Sequence, residues 1–328
     1  MTNSLPDIPP GDPNTAHQSR HPPRNPTLKA GPNPSALEPQ TLTDAAGVGN
    51  PPGRLHFRRP LPPFPIERYD LPHPAVPEAL DGLTILHITD LHVRKGRPLP
   101  APTRRAIEAL RTTPADLIIF TGDYMNHPGD EPSTMVALRA LVDACRARLG
   151  VFGIFGNHDT WDLRSQARSI PGITWLTDQR GIAHPLPDLR LVGTDEPEDL
   201  LATLVDDRLS SPTSPAPFTL GLIHYPTEIL VGADFNIPIL FGGHTHGGQF
   251  RLSPRLAPHT SCDLPADRPG GILRVRTTLC AVSRGLGNAV VEVRFNCPPH
   301  IPFYTLRRAT LPALGPERHE QLTMHRAW

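Results

Sequence analysis

Leu83-Thr84-Ile85-Leu86-His87-Ile88-Thr89-Asp90-Leu91-His92 is the stretch on which the reading of the fold turns. A continuous apolar run is a strand buried on both faces, and this one ends in a carboxylate and an imidazole two residues apart. The same unit recurs downstream. Asp116–Phe120 is a second apolar strand, closed by Thr121-Gly122-Asp123, and Val151–Phe155 is a third, closed by Gly156-Asn157-His158-Asp159. Helical spacing separates them. It runs over Thr103–Arg111, with Thr103 as the expected N-cap, and over Ser133–Arg148, where Met135, Leu138, Leu141, Val142 and Cys145 share a face. Strand, polar cluster and helix in repetition predict a largely parallel sheet covered on both faces. Ligands of such sheets gather at the carboxyl ends of the strands.

The second half is less regular. Leu189–Gly193 reads as a strand, Leu200–Val205 as a short helix and Ser210–Pro217 as a loop. Phe218–Ile223 is a strand running into His224, and Ile237–Phe241 is another, running into Gly242-Gly243-His244-Thr245-His246. Strand-like runs follow at Thr277–Ser283, Val290–Phe295 and Pro302–Leu306, with a glycine turn at Gly285-Leu286-Gly287. A lone Gly-Asp is a turn and a lone Asp-x-His a capped loop. Five such clusters in series, each at a strand end, are a constellation.

The constellation offers Asp90, His92, Asp123, Asn157, His224, His244 and His246 as metal ligands, with His158 left over. In extended backbone, residues i and i+2 point the same way, so Asp90 with His92, and His244 with His246, are each expected to grip one ion. Two divalent cations bring +4 and the two aspartates −2, leaving a first shell of about +2 that suits a hydroxide and an anionic phosphate oxygen. A nitrogen–oxygen set without thiolate favours Mn, with Fe or Zn also compatible, over Mg or Ca. His158 is the expected catalytic residue, a general acid toward the leaving oxygen or a stabiliser of the charge developing on the phosphate, with Asp159 holding its tautomer. Arg94 and Lys95 are candidates for contacting substrate phosphate. Tyr124, Asn126 and His127 are candidates for lining the pocket, and Arg284 for supporting the site. His87 and Trp161 read as core.

Composition bounds the rest. The 328 residues carry 43 prolines and no formal net charge. Residues 1–63 are rich in Pro, Asn, Thr and Gly and lack apolar periodicity, so they read as unstructured. Zero net charge argues against a general nucleic-acid binder. Cys145, Cys262, Cys280 and Cys297 form no C-x-x-C pair and read as free thiols. Arg54–Arg59 reads as a lead-in edge strand. With no basic-then-apolar leader and no run of about 18 apolar residues, a cytoplasmic protein is expected, its contact with the inner membrane peripheral at most.

The motifs Asp90-Leu91-His92, Gly122-Asp123, Gly156-Asn157-His158-Asp159, His224 and Gly243-His244-Thr245-His246 resemble the five signatures of the calcineurin-like metallophosphoesterase superfamily. The resemblance covers about Leu83 to Leu306. It implies an α/β fold, a four-layer α/β/β/α sandwich with two mixed sheets flanked by helices, over residues 64–308, between the Pro-rich segment and a tail at 309–328. It also implies that Asp90, His92 and His246 hold one metal, that Asn157, His224 and His244 hold the other, that Asp123 bridges them and that His158 is catalytic. Ser283-Arg284-Gly285-Leu286-Gly287 and Arg294-Phe295-Asn296-Cys297-Pro298-Pro299 are similar to a bacterial phosphodiesterase branch that includes UDP-diacylglucosamine pyrophosphatases. There this chain has His300 where many members have glutamate. The resemblance implies a dinuclear-metal phosphodiesterase using a metal-bridging hydroxide on a phosphate ester, small or lipid-linked. A pyrophosphatase on a UDP-linked lipid A precursor, or a non-catalytic metal-binding scaffold, is the alternative.

Overall fold

The computed structural model describes residues 40–43, 66–177, 181–195, 217–252, 257–262, 270–289, 291–311 and 325–326. In chain order the elements are β1 (Gln40–Thr43), β2 (Ile66–Pro72), β3 (Thr84–Ile88), α1 (Ala101–Thr112), β4 (Ala115–Thr121), α2 (Glu131–Ala144), β5 (Ala147–Ile154), α3 (Trp161–Ala167) and β6 (Thr174–Trp175). There follow β7 (Ile182–Leu186), β8 (Leu189–Gly193), β9 (Phe218–Leu222), α4 (Ile229–Asp234), β10 (Ile239–Gly242), β11 (Gly271–Val275), β12 (Thr278–Val282), β13 (Ile301–Arg307) and β14 (His325–Arg326). They make two seven-stranded sheets, in the orders β14-β2-β13-β3-β4-β5-β6 and β1-β11-β12-β10-β9-β8-β7. In the first, β3, β4, β5 and β6 run parallel and β13 pairs antiparallel to β3. In the second, β8, β9, β10 and β12 run parallel, with β7 and β11 antiparallel at its flanks. Both sheets are therefore mixed.

Three apolar cores separate four layers, and the two-residue period of the strands sorts side chains between them. On β3 and β4, Leu86, Ile88, Ile118 and Phe120 face outward onto Ile107 and Leu110 of α1, Leu138 and Leu141 of α2, and Leu163 of α3. The alternate residues Ile85, Leu117 and Ile119 face inward, where they meet Leu220, Leu222, Ile239, Phe241 and Leu279 of the other sheet. The far face of that second sheet, with Leu240, Cys280 and Val282, is covered by Ile229 and Ala233 of α4. The α/β/β/α sandwich is thus dictated by strands that are apolar on both faces, since each sheet must bury both.

Several local expectations shift. α1 begins at Ala101, with Pro100 at the cap and proline within its first turn, and Thr103 lies buried inside the helix. Proline is preorganised for the first turn, and that signal outranks the threonine. α2 stops at Ala144, because Ala147 already pairs with Ala115 to open β5. The run Val290–Phe295 is not a strand over its described residues, which begin at Val291. It curls round Gln249, whose Nε2 donates to the carbonyls of Ala289, Val291 and Val293 at 3.1, 2.7 and 3.0 Å. β1 falls within the segment read as unstructured and pairs with β11; β14, in the tail, pairs with β2. The readings at Arg54–Arg59, at Leu200–Val205 and, save its last residue, at Ser210–Pro217 lie outside the described residues. Among the described residues no helix is long and apolar enough to cross a membrane.

His87 sits in the inter-sheet core as expected, fully buried, edge-on to Phe241 and 2.7 Å from Thr121 Oγ1. Burial pulls its imidazole down to about 3. The unfolded chain therefore takes up this proton below pH about 6.5 while the folded chain does not, and stability is lost as pH falls from 6.5 toward 3. At pH 5 the term is about 2 kcal/mol. In denaturant titrations, His87→Gln is expected to shrink the loss of stability between pH 7 and pH 5 by about that amount. An unchanged pH slope would show that the ring is not held neutral.

Candidate metal centre

All five clusters meet where the carboxyl ends of the two sets of parallel strands face each other. Main-chain bonds extend the first sheet beyond its strands: Asp90 N–H donates to Gly122 O at 2.9 Å and His92 N–H to Asp123 O at 3.1 Å. The sheets are then tied across the site. His244 N–H donates to Asp90 Oδ1 at 3.1 Å, and the His224 Nδ1–H donates to the Thr121 carbonyl at 2.8 Å. Gly156 is obligatory here, since a Cβ on it would lie 2.3 Å from Asp123 Oδ1 and 2.6 Å from Asp123 N.

The turns that carry these pairs are not extended backbone. Asp90, His92, Asp123, His244 and His246 all have left-handed φ, between 44° and 66°. Asp and His tolerate that region better than most residues, and finding five together marks a backbone bent to a purpose. Asp90, His92 and His246 bring their donor atoms together. His244 and His246 do not grip together. The turn between them sends His246 to that first group and His244 to a second, with Asp123 and His224. A third group, His92, Asp123 and His158, lies between and shares members with both. Within each group the ligand atoms lie within 4.8 Å of one another. Asn157 Oδ1 is 3.1 Å from His224 Nε2, so it reaches the second group.

The donor set fits divalent cations. His92 Nε2 and His246 Nε2 face each other at 2.9 Å, and Asp123 Oδ2 lies 3.5 Å from His92 Nε2 and 3.3 Å from His224 Nε2. Buried nitrogens so close need a proton or a cation between them. At a second such pair, His224 Nε2 and His244 Nδ1 at 3.2 Å, the far ring nitrogens are already spent as donors, His224 Nδ1–H to Thr121 O and His244 Nε2–H to Ser261 O, each at 2.8 Å, so the facing nitrogens are the ones a cation takes. Carbonyls that fix the tautomer in this way are the usual backing of metal-bound imidazoles.

Without cations the charges are strained. Burial, reinforced by Asp123, pushes the Asp90 carboxyl up to about 7. Burial also opposes charge on His224, but the Asp123 carboxylate outweighs it and lifts that imidazole to about 10. Burial pulls His92 down to about 3 and His244 to about 4, so both are neutral donors at pH 7.

His158, half-buried, stands edge-on to His92 with ring centroids 4.7 Å apart. Its Nδ1–H donates to the Asn126 carbonyl at 2.8 Å, and its main-chain N–H to Asp123 Oδ1 at 2.9 Å. Asp159 does not hold its tautomer. The Asp159 oxygens accept main-chain N–H groups of Gly156, Asp123, Tyr124 and Met125, at 2.8, 2.9, 2.8 and 3.3 Å. It is a staple between two ligand loops, because those four donors take both of its oxygens while the imidazole is held by the Asn126 carbonyl.

Secondary candidates divide. Asn126 reaches the site through its carbonyl. Tyr124 is wholly buried, its hydroxyl donating to Ile154 O at 2.6 Å, and belongs to the core. His127 and Lys95 are exposed. Arg94 binds Glu292 at 2.6 Å. Arg284 is a buried strut to Glu67 at 2.6 Å. Trp161, read as core, is 70% exposed at the start of α3. Sequence reasoning missed Thr89, whose hydroxyl donates to Asp90 Oδ2 at 2.8 Å, and Arg294, which binds the carbonyls of Arg284 and His246 at 2.8 and 3.3 Å. It also missed the carbonyl partners of the histidines, since any residue type supplies a carbonyl and so leaves no trace in the sequence.

Comparison with known proteins places this geometry. Residues 83–248 match the calcineurin-like phosphoesterase family model. The chain is 28% identical to the uncharacterized metallophosphoesterase YkuE of Bacillus subtilis, over 80% of this chain and 93% of that protein. It is 29% identical to the phosphodiesterase YaeI of Escherichia coli, over 68% of this chain and 81% of that one. To the UDP-2,3-diacylglucosamine pyrophosphatase LpxG of Chlamydia muridarum it is 25% identical, over 68% and 83%. With the family match spanning half of its residues and the overlapping donor groups assembled at the strand ends, the chain belongs to the calcineurin-like phosphoesterase family and is a metal-dependent phosphoesterase with a dinuclear divalent-metal cofactor.

Proposed function

We propose that the protein is a phosphodiesterase, loaded with Mn, in which Asp90, His92 and His246 hold one cation, Asn157, His224 and His244 the other, and Asp123 spans both. The observation that carries this reading is the sharing of Asp123 and His92 between adjoining donor groups. Two divalent cations supply Lewis acidity toward phosphate oxygens and a water acidic enough to act as nucleophile near neutral pH. His158 does the rest. With Nδ1–H donated to the Asn126 carbonyl, Nε2 is its free nitrogen; once Nε2 has taken a proton from solvent, the imidazolium passes that proton to the leaving oxygen and returns to the neutral ring. Asp159 holds the loops of Asp123 and His158 in register. The substrate is a phosphate ester, small or lipid-linked, and no nucleic acid is called for. The test is to profile the Mn-loaded chain against monoesters, diesters and pyrophosphates. Diester turnover well above the other two supports the reading. A preference for a UDP-linked lipid would instead support the pyrophosphatase reading, which similarity to LpxG favours.

Metal uptake is expected to release protons. His224 below pH about 10 and Asp90 below about 7 carry protons that a cation must displace, so apparent affinity falls as pH falls. The expected slope is about tenfold per pH unit for each proton released. Calorimetry in two buffers of different ionisation enthalpy would count them. Equal affinity at pH 6 and pH 8 would mean that these groups are not ligands.

A further inference from the structure

Seven large apolar side chains are exposed among the described residues, and four of them lie on two loops that touch: Phe250 and Leu252 on one, Val291 and Val293 on the other. Leu252, Val291 and Val293 are 60%, 56% and 59% exposed. This is a built surface. Phe250 stacks on Phe295 with centroids 4.8 Å apart, Arg251 N–H donates to Phe295 O at 2.9 Å, and Gln249 gathers the carbonyls of residues 289, 291 and 293. With three carbonyls turned in to one amide, the valines stand outward. The surface is also fastened to the centre, since Gln249 is three residues past His246 and Arg294 binds the His246 carbonyl. Its rim is cationic. Arg94 and Arg97 both reach the single carboxylate of Glu292, each at 2.6 Å, and Lys95 is exposed between them in the chain.

Rigid, exposed aliphatic side chains edged by surplus cations match the chemistry of an anionic bilayer, whose phosphates would meet the arginines while the valines and leucine enter the acyl boundary. We infer that the loops 249–252 and 291–295, with Arg94, Lys95 and Arg97, form a docking surface for an anionic lipid bilayer, holding the metal centre at the membrane interface. Docking is a binding event independent of turnover, so its failure would leave the phosphodiesterase reading standing, and the reverse.

The test is co-sedimentation of the full chain with vesicles of phosphatidylglycerol and phosphatidylcholine, without substrate. Wild type is expected to bind, and Leu252→Ser/Val291→Ser/Val293→Ser to bind at least tenfold more weakly while hydrolysing a water-soluble aryl diester as before. Val293→Trp, made singly, is expected to show a blue-shifted emission component on binding vesicles. Wild type that stays in solution, a triple variant that binds equally well, or a Val293→Trp emission unmoved by vesicles would overturn the inference. So would binding no weaker to pure phosphatidylcholine, which would leave the cationic rim without a role. Capture of a protein partner by this face, with no vesicle binding, would overturn it as well.

Discussion

His158→Ala is expected to lower turnover of a diester with an alkyl leaving group by about a hundred- to ten-thousand-fold, with metal content unchanged. The ring donates its Nδ1–H to the Asn126 carbonyl and carries the transferable proton on Nε2, so removing it deletes a proton donor and leaves every other donor of the centre in place. The loss should depend on the leaving group. A nitrophenolate departs without help, so its diester should lose far less than an alkyl diester does. That contrast separates proton donation from a merely electrostatic role, for which both substrates would suffer alike. The competing structural reading is that His158 is itself a ligand, since a ring nitrogen lies within 4.8 Å of ligand atoms of His92 and Asp123. Metal analysis decides: a variant that binds fewer ions than wild type would move His158 from acid to ligand.

Much of this was legible in the sequence, for a physical reason. A strand buried on both faces must be apolar throughout, so β3, β4, β5, β9 and β10 stand out, and the polar residues that break each run fall at its carboxyl end. The ligand set could be read because its members are unusual side chains at those breaks. What could not be read is direction. His244 and His246 are two apart like Asp90 and His92, and all four have left-handed φ, yet Asp90 and His92 reach one group while His244 and His246 reach two. The role of Asp159 was invisible because the donors that claim it are main-chain N–H groups. Val290–Phe295 looks like a strand since its alternation is real, but carbonyls that would pair with a neighbour are spent on Gln249. The exposure of Trp161 follows from its place as the first residue of a short helix, three positions beyond His158.

Gly285→Ala is expected to lower metal content from about two ions per chain to about one, and diester turnover by at least about a hundredfold. In sequence, Gly285-Leu286-Gly287 is only a turn. In the fold Gly285 has φ +67°, and a Cβ there would lie 2.5 Å from Asp90 Cβ and 3.1 Å from Asp90 Oδ2. The loop cannot back away, because Leu286 N–H and Gly287 N–H both donate to the Asp90 carbonyl, at 3.2 and 2.6 Å. Asp90 must therefore move, breaking its contacts with Thr89 Oγ1 and His244 N–H and leaving the His92–His246 pair without its carboxylate. The three atoms nearest that methyl all belong to Asp90, so Asp123, His224 and His244 should keep their ion. Overpacking costs about 1–3 kcal/mol and left-handed alanine about 1–2 kcal/mol, so the melting temperature should fall too. Gly82→Ala is the control. It has φ +86° and nothing within 4 Å of where its methyl would lie, so it carries the backbone strain alone. If Gly285→Ala loses stability only as much as Gly82→Ala and retains both ions, Asp90 is not pinned by the glycine turn. If instead it loses both ions, the two donor groups are one cooperative unit, and the shared Asp123 and His92 are what couple them.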